Sequence, residues 1–210
     1  MKKVLFIVIL LLASCPLLMS NVTAEGNKPI VTLDVTTITP NPPSEAPEVG
    51  QAFEVNVTIS NVTDLFDWQI MLIFDTTILN ATDVTEGPFL KQGGDTYFPT
   101  PDINNDYNAT HGYVFAGSTL MGGTGVNGSG VLATICFVGE AEGISNLVLD
   151  VSGQIYGFKT LLENSEGAEI PFDIVVTQVQ VVPEYIPLAL LITFIVTATL
   201  LVAMKKKPLT

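Results

Sequence analysis

The chain contains no arginine, one histidine, one tryptophan and two cysteines, and each shortage closes off a class of function. Without arginine there is no planar guanidinium fork for phosphate, and five of the eight lysines crowd the chain ends as Lys2, Lys3, Lys205, Lys206 and Lys207. Between them, residues 25–182 hold 20 acidic residues against Lys28, Lys91 and Lys159, a net charge of −17. Such a field repels a nucleic-acid backbone. It serves solubility and attracts divalent cations. The single histidine, His111, precedes Gly112 with no serine or cysteine motif beside it, so neither a catalytic triad nor a paired-histidine metal site has its residues. Nor does any carboxylate spacing single out an acid and a base. The expectation is that the chain is not an enzyme and takes no cofactor.

Cysteine is equally limiting. Cys15 lies in the N-terminal apolar stretch and Cys136 in an apolar run, so no disulfide forms within the exported part. Cys136 reads as a small core residue. Leu12-Ala13-Ser14-Cys15 spells a lipoprotein-type cleavage box, but Pro16 and the apolar Leu17-Leu18-Met19 that follow argue against lipidation.

The long hydrophobic runs lie at the two ends. Met1 to Lys3 is basic, Val4 to Ala13 unbroken apolar, and Val22-Thr23-Ala24 a small-residue cleavage site; residues 1–24 read as a secretory signal peptide. Ile186 to Met204 carries no charge over 19 residues, enough for a helix of about 28 Å across a bilayer. The three lysines beyond it place residues 205–210 in the cytoplasm. The expected organisation is a cell-surface, single-pass protein: an exported domain at 25–182, a juxtamembrane linker at 183–187, and a transmembrane helix at 186–204.

The exported part reads as all-β. Phe53, Val55, Val57 and Ile59 alternate with Glu54, Asn56, Thr58 and Ser60, the period-two signature of a half-buried strand. Asp67 to Phe74 and Val131 to Val138 are nearly continuous in apolar character, as in central strands covered on both faces. Ile30–Val35, Leu79–Val84, Tyr113–Gly117, Leu147–Val151 and Ile174–Val182 are further β-rich pieces. Clusters of Gly, Pro, Asn and Asp separate them at the spacing of a β-sandwich. Gly122 to Gly130 reads as a long flexible hairpin connection; it lacks the Lys-Ser/Thr ending of a phosphate loop.

Asp102, Asn104 and Asp106 place side-chain oxygens at alternate positions, like the first half of a calcium-binding loop. Tyr107 stands where that loop needs glycine and Tyr113 where it needs a bidentate glutamate. Two readings stand: a turn rich in Asn and Asp, and a weak calcium site. Asn-x-Ser/Thr sequons occur at Asn56, Asn61, Asn80, Asn108 and Asn127, with one more at Asn21 inside the signal; they mark glycosylation in a host that modifies exported proteins.

Val31-Thr32-Leu33-Asp34-Val35, Val49-Gly50-Gln51-Ala52-Phe53-Glu54-Val55-Asn56-Val57, and Asp64-Leu65-Phe66-Asp67-Trp68-Gln69-Ile70 running into Phe74-Asp75 and Ile78-Leu79 resemble, in order and spacing, the opening half of a cohesin module. Gly128 to Phe137 resembles the family's glycine turn entering a core strand, and Gly143 to Leu149 the strand after it. The resemblance covers Ile30 to Val181. It implies a nine-stranded jelly-roll β-sandwich, related to carbohydrate-binding modules, that grips a dockerin-like protein partner within polysaccharide-degrading assemblies. The alternatives are a carbohydrate-binding module, with Tyr97, Phe98, Tyr107 and Tyr113 as the candidate aromatics, and a structural or adhesive envelope glycoprotein. At the C-terminus, Val182, Pro183 and Pro187 are similar to the Val-Pro-x-x-x-Pro sorting tails of archaeal surface proteins, which implies exchange by a membrane-embedded transpeptidase; an ordinary stop-transfer anchor is the other reading.

Overall fold

The computed structural model describes residues 28–37, 46–154 and 157–183. The expected signal peptide, the apolar Ile186–Met204 stretch, the lysine tail and Pro187 all lie outside them. Among the described residues no helix is long and apolar enough to cross a membrane.

One strand organises everything else. β2 (Ala52–Asp75) runs for 24 residues through both stretches that the periodicity separates, Phe53–Ile59 and Asp67–Phe74. It bends between them, with register shifts at Val57/Thr58, Ile59/Val62 and Val62/Leu65. Asn61 (φ 57°) and Asp64 (φ 58°) take the left-handed conformation at the bend, where Asn and Asp are tolerated better than other side chains. Pairing partners change across it. The first half pairs with β1 (Ile30–Thr37) on one side and β7 (Val126–Gly139) on the other. The second half pairs with β6 (His111–Leu120), β8 (Gly143–Leu149) and β9 (Leu161–Asn164).

Two layers result. β3 (Leu79–Glu86) extends the first beside β7, and β10 (Asp173–Ile174) runs parallel to β1. β4 (Thr96–Tyr97) and β5 (Asp102–Asn104) edge the second beside β6, and β11 (Thr177–Val181) pairs with β8. The expected all-β sandwich is therefore present. The described residues hold eleven strands and a 3₁₀ turn at Leu90–Gly93, where nine strands were expected. The short β4, β5, β9 and β10 carry too few residues for a period to register, and two expected strands fuse into β2.

The core fills the space between the layers. Val55, Val57 and Ile59 from the first half of β2 and Trp68, Ile70, Leu72 and Phe74 from the second are buried in one cluster. Phe137 stacks on Phe53 with ring centroids 5.7 Å apart and receives Phe74 edge-on at 5.2 Å, so one aromatic triad joins both halves of β2 to β7. Burying such side chains contributes about 1.5–3 kcal/mol each.

Two expectations are corrected here. Gly122–Gly130 is not a hairpin loop: β6 pairs with β2, β4 and β5, β7 with β2 and β3, and the residues between Leu120 and Val126 cross from one layer to the other. Gly128 and Gly130 already belong to β7. At Gly130 an added Cβ would lie 2.7 Å from the buried Phe89 ring, so glycine there makes room for core packing. Cys136 is not a core residue. β7 alternates, with Ile135 and Phe137 buried and Thr134, Cys136 and Val138 half-exposed outward. Burial, with Glu54 and Asp83 nearby, pushes the Cys136 thiol up, away from the reactive thiolate.

Asp64 ties the bend down. Its carboxylate accepts hydrogen bonds from Gly125 N (3.1 Å), Ser165 N (3.3 Å) and Ser165 Oγ (2.8 Å), while its own N–H donates to Asn127 Oδ1 (2.8 Å). Asp64→Ala is expected to destabilise the fold by about 1–3 kcal/mol, through the lost bonds and a less tolerant left-handed residue. Asp64→Asn should lose less, as urea unfolding midpoints would show.

Candidate functional site

The outer surfaces of the two layers differ in chemistry. On the first, β1 presents Thr32, Asp34 and Thr36 opposite Thr58, Asn56 and Glu54 of β2. β7 adds Thr134 and Cys136, and β3 adds Asp83 and Thr85. Thr58 Oγ1 donates to Asp34 Oδ2 (2.8 Å) and Thr134 Oγ1 to Asn56 Oδ1 (2.7 Å). This is a polar, self-satisfied surface.

The second layer is apolar at its centre. Strand registers place Val148, Ile73, Tyr113 and Asn104 in one row and Met71, Phe115 and Asp102 in the next. A further row runs Glu163, Asp67, Thr119, Tyr97. Val148 is 44% exposed and Tyr97 59%. Between β8 and β9 the chain leaves the sheet edge, held at its two roots by Asp150 N donating to Met71 O (2.8 Å) and Met71 N to Thr160 Oγ1 (3.1 Å). This excursion returns Phe158 over the face, 4.5 Å from Phe115 and 48% exposed. Polar side chains rim the patch: Asp67, Glu163 and Gln69 at one end, Asp75 and His111 at the other. An exposed apolar centre with a polar rim is the composition of a protein-binding surface.

Two carboxylates are perturbed in opposite senses. Burial raises the Asp67 pKa, Glu163 opposite it raises it further, and the Thr119 hydroxyl only partly offsets them. Burial would also raise Glu86, but hydrogen bonds from Ser118, Lys91 and Thr96 outweigh it and hold that carboxyl below its ordinary value. Glu86 thereby clasps β3 to β6 and β4: Ser118 Oγ donates at 2.6 Å, Thr96 Oγ1 at 3.1 Å, and Lys91 Nζ lies 3.0 Å away. The signs follow by linkage. Glu86 binds its proton less tightly when folded, so its stabilisation is complete above the ordinary glutamate range and is lost as pH falls through the folded value. Asp67 binds its proton more tightly when folded, so its penalty grows as pH rises from the ordinary aspartate value through the folded one. Asp67→Asn is expected to raise the melting temperature at pH 7 and Glu86→Gln to lower it. Both differences should shrink in acid, which thermal melts from pH 3 to 7 would register.

The expected site residues scatter over the fold. Tyr97 is exposed, but Phe98 packs against Trp68 with centroids 6.2 Å apart, and Tyr113 is buried with Tyr107 edge-on to it at 5.8 Å. These four do not form a flat exposed strip. Asp102 accepts a hydrogen bond from the Tyr113 hydroxyl (2.8 Å), Asn104 Oδ1 accepts from Asp106 N (2.9 Å), and Asp106 is exposed. Among the described residues no group of three or more His, Cys, Asp or Glu side chains is placed to hold a metal ion. His111 lies exposed at the rim, its Nδ1 2.8 Å from Thr110 Oγ1.

Of the sequon asparagines, Asn61 is exposed at the bend within β2, Asn108 in a bend of the chain before β6 and Asn127 near the start of β7, while Asn56 and Asn80 are half-buried within strands. Val182 is hydrogen-bonded to Pro47 O and Val49 N, so the domain's pairing runs through it; Pro183 follows exposed. Sequence reasoning missed Ile73, Phe115, Val148 and Phe158. The available signal was apolar character on both parities of Asp67–Phe74, which also fits a strand buried on both faces.

The model of the cohesin domain family matches residues 22–153, more than half of the chain. The chain belongs to the cohesin domain family. The match stops before β9, β10 and β11, whereas likeness to solved cohesins extends further. A non-cellulosomal cohesin of the hyperthermophilic archaeon Archaeoglobus fulgidus aligns with a TM-score of 0.52 at 17% identity, over 74% of this chain and 91% of its own. The second type II cohesin of the adaptor ScaA scaffoldin of Acetivibrio cellulolyticus gives 0.56 at 16%, over 76% and 93%. The third ScaC cohesin from the same organism, solved in complex with the ScaB dockerin, gives 0.55 at 16%, over 73% and 99%. No curated protein sequence matches the chain. At these identities the solved structures establish the cohesin's fold.

Proposed function

We propose that this cohesin is a non-catalytic adaptor that docks a dockerin-like protein across the outer face of its second layer while held at the cell surface by its C-terminal segment. The observation that carries the reading is the contrast between layers. Exposed Val148, Phe158 and Tyr97 gather on one outer face, and the opposite face is a hydrogen-bonded polar surface. Solved cohesins of similar fold are bound to dockerins, among them the OlpA cohesin of Clostridium thermocellum in complex with Doc918. Tethering adds a physical advantage, because partners on one surface meet at raised effective concentration and modest affinity suffices. A role in polysaccharide-degrading assemblies follows when the docked partner carries such an enzyme. The test is capture from the source organism's membrane and extracellular fractions, with calcium and then with chelator. Calcium-dependent recovery of a dockerin-bearing protein supports the adaptor. Retention on polysaccharide with no protein partner overturns it.

A further inference from the structure

Five Asn-x-Ser/Thr sequons lie among the described residues, and the fold treats them in two ways. Asn56-Val57-Thr58, Asn61-Val62-Thr63 and Asn80-Ala81-Thr82 belong to β2 and β3, where successive side chains alternate between faces. Their middle residues Val57, Val62 and Ala81 are buried in the core, so each tripeptide is fastened to the domain at its centre. Asn56 is also held from both sides, paired with Asp34 and Thr134 and accepting a hydrogen bond from Thr134 Oγ1 (2.7 Å). Asn61 donates its N–H to Ser129 Oγ (3.0 Å).

Asn108-Ala109-Thr110 and Asn127-Gly128-Ser129 are exposed at all three positions. In each, the side-chain oxygen of the asparagine holds the local backbone. Asn108 Oδ1 accepts from Thr110 N (3.0 Å) and His111 N (2.9 Å), closing an Asx turn. Asn127 Oδ1 accepts from Asp64 N (2.8 Å). The amide nitrogen, Nδ2, takes no part in these bonds.

We propose that Asn108 and Asn127 are the acceptors of N-linked oligosaccharide on this protein, loaded after the domain has folded, and that Asn56, Asn61 and Asn80 stay bare. The proposal goes beyond the docking reading and shares with it only the export of the domain. A transferase must take the whole tripeptide into its cleft, and only these two can be gripped without lifting a core residue into water. The donor is an oligosaccharide carried on a lipid phosphate. Asparagine Nδ2 attacks its anomeric carbon: a C–N bond forms, the C–O bond to the phosphate breaks with its electron pair leaving on the lipid phosphate, and the amide releases one proton. Oδ1 is untouched, so the hydrogen bonds it accepts survive loading. The two sugars stand at opposite ends of the second layer, Asn108 beside the His111–Asp75 pair and Asn127 beside Asp64 at the bend.

The test is glycopeptide mass spectrometry of the full chain purified from the source organism's membranes. The expected result is oligosaccharide on Asn108 and Asn127, with unmodified peptides covering Asn56, Asn61 and Asn80. Asn108→Gln and Asn127→Gln should each lower the intact mass by one oligosaccharide. Thr110→Val and Ser129→Ala leave both asparagines in place and should do the same. Sugar on Asn56, Asn61 or Asn80, or a bare Asn108 or Asn127, overturns the assignment. Synthetic peptides spanning Asn56, Asn61 and Asn80, given to the same membranes, should all accept sugar; if they refuse it, selection by the fold is overturned. A chain that is bare yet cut by protease added to intact cells sinks this assignment alone. A chain that is bare and protected sinks the surface reading with it.

Discussion

Val148→Asp is expected to abolish dockerin capture while leaving the domain folded. Val148 stands directly opposite Ile73 on the outer face of the second layer and is 44% exposed, so the free domain has little packing to lose there and its stability should move by less than about 1 kcal/mol. In the proposed docked complex the same position is covered by the partner. A carboxylate would then be desolvated in an apolar centre with no cation on the cohesin side, beside a surface already carrying −17 over residues 25–182. Loss of a central apolar contact combined with a buried unpaired charge corresponds to 2–4 kcal/mol, or about 30- to 1,000-fold in affinity. Titration calorimetry with the captured dockerin measures it, and circular dichroism checks the fold. Thr134→Asp, on the polar face of β7, is the matched control and should leave affinity within about twofold. If both variants bind like the parent, the docking face lies elsewhere.

Phe137→Ala is expected to have the largest effect on stability. The ring is fully buried, stacked on Phe53 and met edge-on by Phe74, so it holds together the two halves of β2 that belong to different layers. Truncating a buried phenylalanine typically costs 3–5 kcal/mol, part transfer free energy and part cavity, against a total of about 5–15 kcal/mol for a domain. Urea unfolding should show a sharply lowered midpoint with an unchanged slope. Phe137→Leu keeps most of the volume and should recover more than half of the loss. An effect below about 1 kcal/mol for the alanine variant would mean that the layers do not depend on this triad.

The sequence-level reading was strongest where strands are long and one-sided. Phe53 to Ile59 declared its inward face by alternation alone, and the structure buries those four residues. It was weakest where two faces are both apolar. In Asp67–Phe74 the run does not say which apolar residues are core and which are surface, and pairing with β6 and β8 settles it: Trp68, Ile70, Leu72 and Phe74 go in, while Ile73 remains on the outer face. VLATICFV misled in the opposite direction, since Cys136 counts as apolar yet points outward between Glu54 and Asp83. The glycines of Gly122–Gly130 suggested flexibility, but Gly128 and Gly130 lie within a strand, and at Gly130 the packing of Phe89 demands the absence of a side chain.

By itself the sequence determined the class of the molecule. A chain without arginine, with a single histidine and one cysteine between residues 25 and 182, offers neither a basic surface for nucleic acid nor the residues of a paired-histidine site. Its ordered strand motifs point to the cohesin family, because local periodicity and turn chemistry act over a few residues and are written in consecutive positions. The site was decided only by the tertiary structure. Val148, Ile73 and Phe115 come from β8, β2 and β6 and Phe158 from the excursion between β8 and β9, and Asp67 meets Glu163 across 95 residues of intervening chain. Which apolar side chains share an outer face depends on register and on a bend at Asn61 and Asp64. Those are long-range pairings, and no local pattern encodes them.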